Sequence, residues 1–261
     1  MNEPNPLPPF PADSAPLPPP PLQGPRPLGE DPGEREPFPH AFAAIESILR
    51  QPRRLMYRLR QPGAGRIIGA MLFVSIVCAL VYGVVAGTFS GGMQLWAAPV
   101  KIATGLMLSA AICLPSLYIF ACLSGSQARL AEVCGLLTGS LMLMTILLVG
   151  FAPVAWIFSQ STQSIAWMGT LHLSFWLVAT LFGVRFLKNG FTHTGAKSEA
   201  GVNVWIVIFL LVALQMTTAL RPILGKADTF LPPAGEKQFF VGHWFENLEN
   251  APKHPQTVAP D

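Results

Sequence analysis

His172, set between Trp167 and Trp176, is the residue of this 261-residue chain best placed to do chemistry. It lies in the run Ile165–Val184, which has no other ionisable side chain. An ionisable group in such a run is a candidate for function, because apolar surroundings penalise its charge. A neutral imidazole there can relay a proton or hydrogen-bond to a neighbouring element. The more ordinary reading is a histidine tied to a hydroxyl or backbone carbonyl of an adjacent helix. Asn203 and Gln215 are the large polar side chains of another apolar run, Val202–Leu220. Their spacing turns them about 120° apart at 100° per residue, so they do not share a helix face. His172, Gln215 and Asn203 are thus the groups from which an intramembrane polar site is to be sought.

Other chemistry has little to stand on. The sequence holds no P-loop, dinucleotide glycine fingerprint, G-x-S-x-G elbow or H-E-x-x-H. Cys78, Cys113, Cys122 and Cys134 lie in or at the edges of apolar runs, with neither CxxC nor Cys/His metal spacing. They read as small packing residues, with no disulfide framework, metal or cofactor expected. A membrane enzyme acting on lipid would need a partner to complete its site.

These groups must be positioned by membrane helices. Charged residues make up 12% of the chain and apolar types 51%, with a mean hydropathy of +0.45. An ordinary soluble domain carries roughly twice that charge. About 20 apolar residues cross the hydrocarbon core as a helix, and five stretches meet that length: Ile67–Phe89, Ile102–Leu123, Val133–Phe158, Ile165–Val184 and Val202–Leu220. In lipid the backbone must satisfy its own hydrogen bonds, which selects helices. The expected fold is an all-α polytopic bundle with five transmembrane helices over residues 62–221. Arg50, Arg53, Arg54, Arg58, Arg60, Arg66, Arg129, Arg185, Lys188 and Lys197 fall on one side of these spans. Lys101, Arg221, Lys226, Lys237 and Lys253 fall on the other. The bias is strongest beside the first span, which predicts a cytoplasmic N-terminus and an extracytoplasmic C-terminus. The first span is expected to act as an uncleaved signal anchor, since the proline-rich start lacks the apolar centre of a secretory signal.

The flanks differ from the bundle. Of the 26 prolines, 15 fall among residues 1–40. Proline fixes φ and removes a donor, so this stretch reads as a disordered tail of polyproline character. Leu17-Pro18-Pro19-Pro20-Pro21 is a surface that an aromatic-grooved protein domain can bind, although a plain solvated spacer fits as well. Residues 41–61 carry Phe42, Ile45, Ile48, Leu49, Leu55, Met56 and Leu59 at three- and four-residue steps. Arg50, Arg53, Arg54 and Arg58 fall mostly elsewhere around the wheel. This predicts a basic amphipathic helix lying in the interface, its apolar face in lipid and its arginines on anionic headgroups. Pro52 kinks it or starts a second helix. Residues 222–261 form the other tail, where Phe240, Trp244 and Leu248 recur at four-residue steps as a short aromatic helix, with Phe240 and Trp244 as interfacial anchors.

Within the spans, Gly65-x-x-x-Gly69, Gly83-x-x-x-Gly87 and Gly135-x-x-x-Gly139 permit close helix approach, in one chain or between copies. Pro115 is expected to kink or break the second span.

The five-span layout, the proline-rich cytoplasmic start and Ile48-Leu49-Arg50-Gln51-Pro52-Arg53-Arg54 resemble the Yip family of membrane proteins, in which a short helix with a Pro-Arg step often precedes the bundle. The resemblance implies Rab-type partners and a role in vesicle trafficking. The Asp-Leu-Tyr-Gly-Pro motif of the family's eukaryotic members does not occur, and no site residue is carried over.

The function expected from these features is a non-catalytic membrane scaffold or adaptor. The alternative is a channel or permease subunit for a small or lipidic solute. Membrane lipids with anionic headgroups, a protein reader of the tail and further copies of the chain are the expected partners; nucleic acid is not.

Overall fold

The computed structural model describes residues 27–36, 38, 41–162, 164–196, 198 and 200–219. Every element among them is a helix: α1 (Pro32–Arg35), α2 (Ala41–Arg50), α3 (Pro52–Leu59), α4 (Ala64–Ser90), α5 (Gln94–Leu123), α6 (Leu130–Ser161), α7 (Ile165–His193) and α8 (Ala200–Ala219). Four of these, α4 to α7, are long and apolar enough to cross a membrane. The aromatic segment with Phe240 and Trp244 and the Leu17–Pro21 motif lie outside the described residues.

Helix α6 is the hub. Its residues 135–145 are buried without interruption, the mark of a helix with neighbours all round rather than one stripe in contact. It packs on α4 and α7; α4 packs on α5, and α5 on α8. Large apolar side chains such as Phe73, Ile112, Leu177 and Leu211 point outward around the bundle, as suits a surface solvated by lipid tails. Trp96, Trp156 and Trp167 are also exposed. They sit near the start of α5, the end of α6 and the start of α7, all at the same end of the bundle. Tryptophan collects at the headgroup boundary because its ring is amphipathic.

Turn chemistry sets the ends. Gly91 and Gly92 both have positive φ, 67° and 53°, a backbone that only glycine adopts without strain. They reverse the chain between α4 and α5 with a three-residue connection. The Ser164 hydroxyl caps α7 by accepting the Trp167 amide at 3.5 Å. Pro52 starts a second helix, with proline at the first turn of α3 where the missing amide costs nothing. Pro99 and Pro115 are both accommodated inside a continuous α5.

The structure differs from the sequence reading in three places. Lys101, assigned to a loop, lies inside α5 and is 1% exposed; the helix begins seven residues before it because Leu95, Trp96, Ala97 and Ala98 continue the apolar run. The apolar face of α2 and α3 is turned onto protein instead of lipid: Ile48, Leu55, Met56 and Leu59 are buried in the main core. The cause is visible on α6, where Gly135 and Gly139 leave hollows. Leu59 fills the first, and Phe186 with Ile48 covers the second. The tail expected over residues 1–40 also gives way to structure before its end, since residues 27–36 and 38 are folded against α3.

Candidate functional site

A buried polar contact between helices α4 and α7 is made by His172 and Tyr82. Tyr82 Oη lies 2.5 Å from His172 Nδ1, with Tyr82 fully buried and His172 6% exposed. With the phenol donating to Nδ1, the neutral imidazole carries its proton on Nε2. That second nitrogen is buried and meets no hydrogen-bond partner among the described residues. Trp176, one helical turn beyond His172, sets its ring edge-on to Tyr82 with centroids 6.4 Å apart. The Tyr82 and His172 rings are also edge-on, at 5.5 Å. Ala86, Ile102, Met144, Leu148, Ala152 and Ala179 complete an apolar shell around Tyr82. Helices α4 and α7 thus gain a direct link beside the α6 helix on which both pack.

Asn203 and Gln215 do not join this site. Both are exposed on α8, which packs on α5, away from the α4–α7 link. The three expected polar groups therefore form no common centre. Helix α8 is held instead by Trp205, 2% exposed, whose indole N–H donates to the Cys113 carbonyl at 2.9 Å. Tyr82 escaped the sequence reading because a tyrosine in an apolar run looks like one more core residue. A signal was there: Tyr82 lies eight residues before the end of α4, and His172 seven after the start of α7, at the same end of the bundle.

Lys101 aside, which is buried in the first turns of α5 at this same end, the charged groups among the described residues gather at the other end. Glu34 is 6% exposed. It accepts the Gly29 amide and pairs with Arg53 at 2.6 Å. Arg53 also donates to the Pro27 carbonyl at 3.1 Å. Arg35 donates to the Gly29 carbonyl at 2.7 Å, closing a small loop. Arg54 donates to the Glu36 carbonyl at 3.3 Å, approaches the Glu36 carboxylate at 3.6 Å and sits 5.1 Å from the Phe38 ring centroid. Arg60 binds the His193 carbonyl at the C-terminal end of α7 and lies 3.9 Å from Glu132 on α6, a favourable place for a cation. Of the other predicted headgroup anchors, Arg50 pairs with Glu46 at 3.5 Å on the surface, while Arg58 has a buried Nε with no partner among the described residues.

No family model, curated protein or solved structure matches this chain.

Burial favours the neutral form of Glu34, but the hydrogen bond from Arg53, the Gly29 amide and the Arg53 charge outweigh it, holding the carboxyl below its ordinary value. A depressed carboxyl stabilises the folded segment above its unfolded pKa and loses that contribution as pH falls through the folded one. Docking of residues 27–38 is thus expected to be pH-independent near neutrality and to weaken below about pH 4.3, the unperturbed glutamate value. Hydrogen exchange at the Gly29 amide, corrected for its intrinsic pH dependence, checks this. Glu34→Gln is expected to abolish the pH step; an unchanged step in that variant would assign it elsewhere.

Proposed function

We propose that the chain is a non-catalytic membrane scaffold or adaptor with five crossings, its collar of α1–α3 in the cytoplasm and its C-terminal end on the opposite side. The collar is the observation that carries this reading. A segment rich in arginine and glutamate is folded as a platform on one end of the bundle, while the buried polar groups Tyr82, His172 and Trp205 tie helices together. The exposed tryptophans at the far end suit a membrane boundary there, and the arginine bias at the collar end supports the direction of insertion. The 20 residues of α8 suit a fifth crossing. In this arrangement the collar carries the proline-rich segment as a contact for a cytoplasmic protein, consistent with a role in membrane organisation or trafficking of the kind the Yip-like layout implies.

A second reading, a channel or permease subunit for a small or lipidic solute, is favoured by one observation: Nε2 of the buried His172 meets no partner among the described residues. Ion and solute release from liposomes separates the two. Vesicles holding the full chain are expected to leak no faster than protein-free ones; a flux that disappears in His172→Leu would replace the scaffold with the permease. Topology is tested with single cysteines placed at Ser14 and Thr257 in a chain without its native cysteines. In sealed right-side-out membranes an impermeant maleimide is expected to label residue 257 and to reach residue 14 after lysis. Labelling of both before lysis would mean an even number of crossings.

A further inference from the structure

We propose that residues 27–38 are an intramolecular latch, occupying on Arg53 and Arg54 the place that anionic lipid headgroups take when the latch lifts. The inference rests on the membrane reading above, and is independent of the direction of insertion.

The charge pattern is complementary. Residues 27–38 hold Glu30, Asp31, Glu34 and Glu36 against one cation, Arg35. Arg53 and Arg54 sit side by side at the start of α3, and the latch engages both through carboxylates and backbone carbonyls. Phe38 lies against Arg54, and Leu28 reaches a narrow cleft lined by Met56, Leu59, Arg60 and Leu136. Gly29 lies so close over the Tyr57 ring that a Cβ would meet Cδ2 at 2.9 Å. The segment is therefore seated on a surface that selects acidic groups with apolar anchors.

Depth identifies the competitor. Leu59 at the end of α3 sits on Gly135 of α6, and the exposed Trp156 marks the far boundary on the same helix. At 1.5 Å per residue the two levels are about 32 Å apart, close to the roughly 30 Å of the hydrocarbon core. The C-terminal end of helix α3 thus lies at headgroup level, and we place its arginines where lipid phosphates and carboxylates compete with Glu34 and Glu36 for the same guanidinium groups. A guanidinium binds either oxyanion in the same bidentate manner. In a neutral bilayer the latch holds; in an anionic one the headgroups, present at high local concentration, displace it and release the proline-rich segment beyond.

Trypsin reads the state of the latch through the bond after Arg35, because cleavage needs this segment to leave the surface. The full chain is placed in nanodiscs of phosphatidylcholine alone, or with phosphatidylserine added, and release of the fragment 1–35 is followed by mass spectrometry. Cleavage is expected to be about tenfold faster in the anionic discs, from the headgroup attraction at each arginine, partly offset by the lost carboxylate contacts. Glu34→Gln is expected to be fast in both lipids, and inorganic phosphate added to neutral discs to leave the wild type slow. Equal rates in the two lipids alongside a fast Glu34→Gln would leave a latch that lipid does not open. Equal acceleration by free phosphate would make the competitor a soluble anion. Equal rates for wild type and Glu34→Gln in neutral discs would remove the latch itself. Each of these overturns the proposal. A chain that fails to enter nanodiscs would instead overturn the membrane reading beneath it.

Discussion

Gly83→Val is expected to dismantle the bundle, at a cost of about 3 kcal/mol or more. A Cβ at Gly83 would collide with backbone atoms of Pro99, and one at Gly87 would lie 2.7 Å from the Gln94 carbonyl oxygen. Backbone cannot yield as a flexible side chain does, so α4 and α5 must separate. That separation also strains the hairpin at Gly91 and Gly92 and shifts Tyr82, the neighbour of Gly83, off His172. In lipid the loss is not repaired by burying surface elsewhere, because tails are as apolar as the side chains and association depends on fit. Gly69→Val is the control, since open space surrounds that position. Thermal unfolding in detergent should show Gly69→Val close to wild type and Gly83→Val broadened or already unfolded. Matching behaviour of the two variants would mean that α4 and α5 do not approach as described.

The second large effect concerns Tyr82 and His172. Removing the phenol in Tyr82→Phe leaves Nδ1 buried without its donor, an expected loss of about 1–2 kcal/mol. His172→Leu orphans the hydroxyl and should cost a similar amount. The double variant is expected to cost no more than either single one, because an apolar pair has nothing left to satisfy. The coupling energy of that cycle, about 1 kcal/mol, is the signature of a contact that ties α4 to α7. Additive single effects would sink that assignment and return His172 to the list of groups awaiting a role. Combined with the liposome assay, the cycle divides the two functional readings, since a purely structural dyad changes stability and leaves leakage untouched.

Much of the fold is legible in the residues. The four long helices follow from apolar runs of sufficient length bounded by Pro62-Gly63, Gly91-Gly92 and Ser124-Gly125, and the Pro52 start of α3 follows from its missing amide. His172 stood out because its run had no other ionisable side chain. Its partner did not, because a tyrosine carries too little polarity to interrupt an apolar run. The same limit applies to Lys101, where one cation near the end of a run looks like a loop until neighbouring helices are seen to bury it.

Composition and period decided which segments are helices and that four of them are long and apolar enough to cross a membrane, because those properties depend on residues adjacent in the chain. Which faces meet was decided by tertiary structure. Three glycine pairs at the same spacing have three fates: Gly65 and Gly69 face open space, Gly83 and Gly87 admit the backbone of α5, and Gly135 and Gly139 receive Leu59 and Phe186. The same is true of Arg53 and Arg54 on α3, which hold Glu34 and Glu36 where the sequence pointed to headgroups. A local pattern states that a side chain needs a partner, whereas only the meeting of distant segments determines which one it gets.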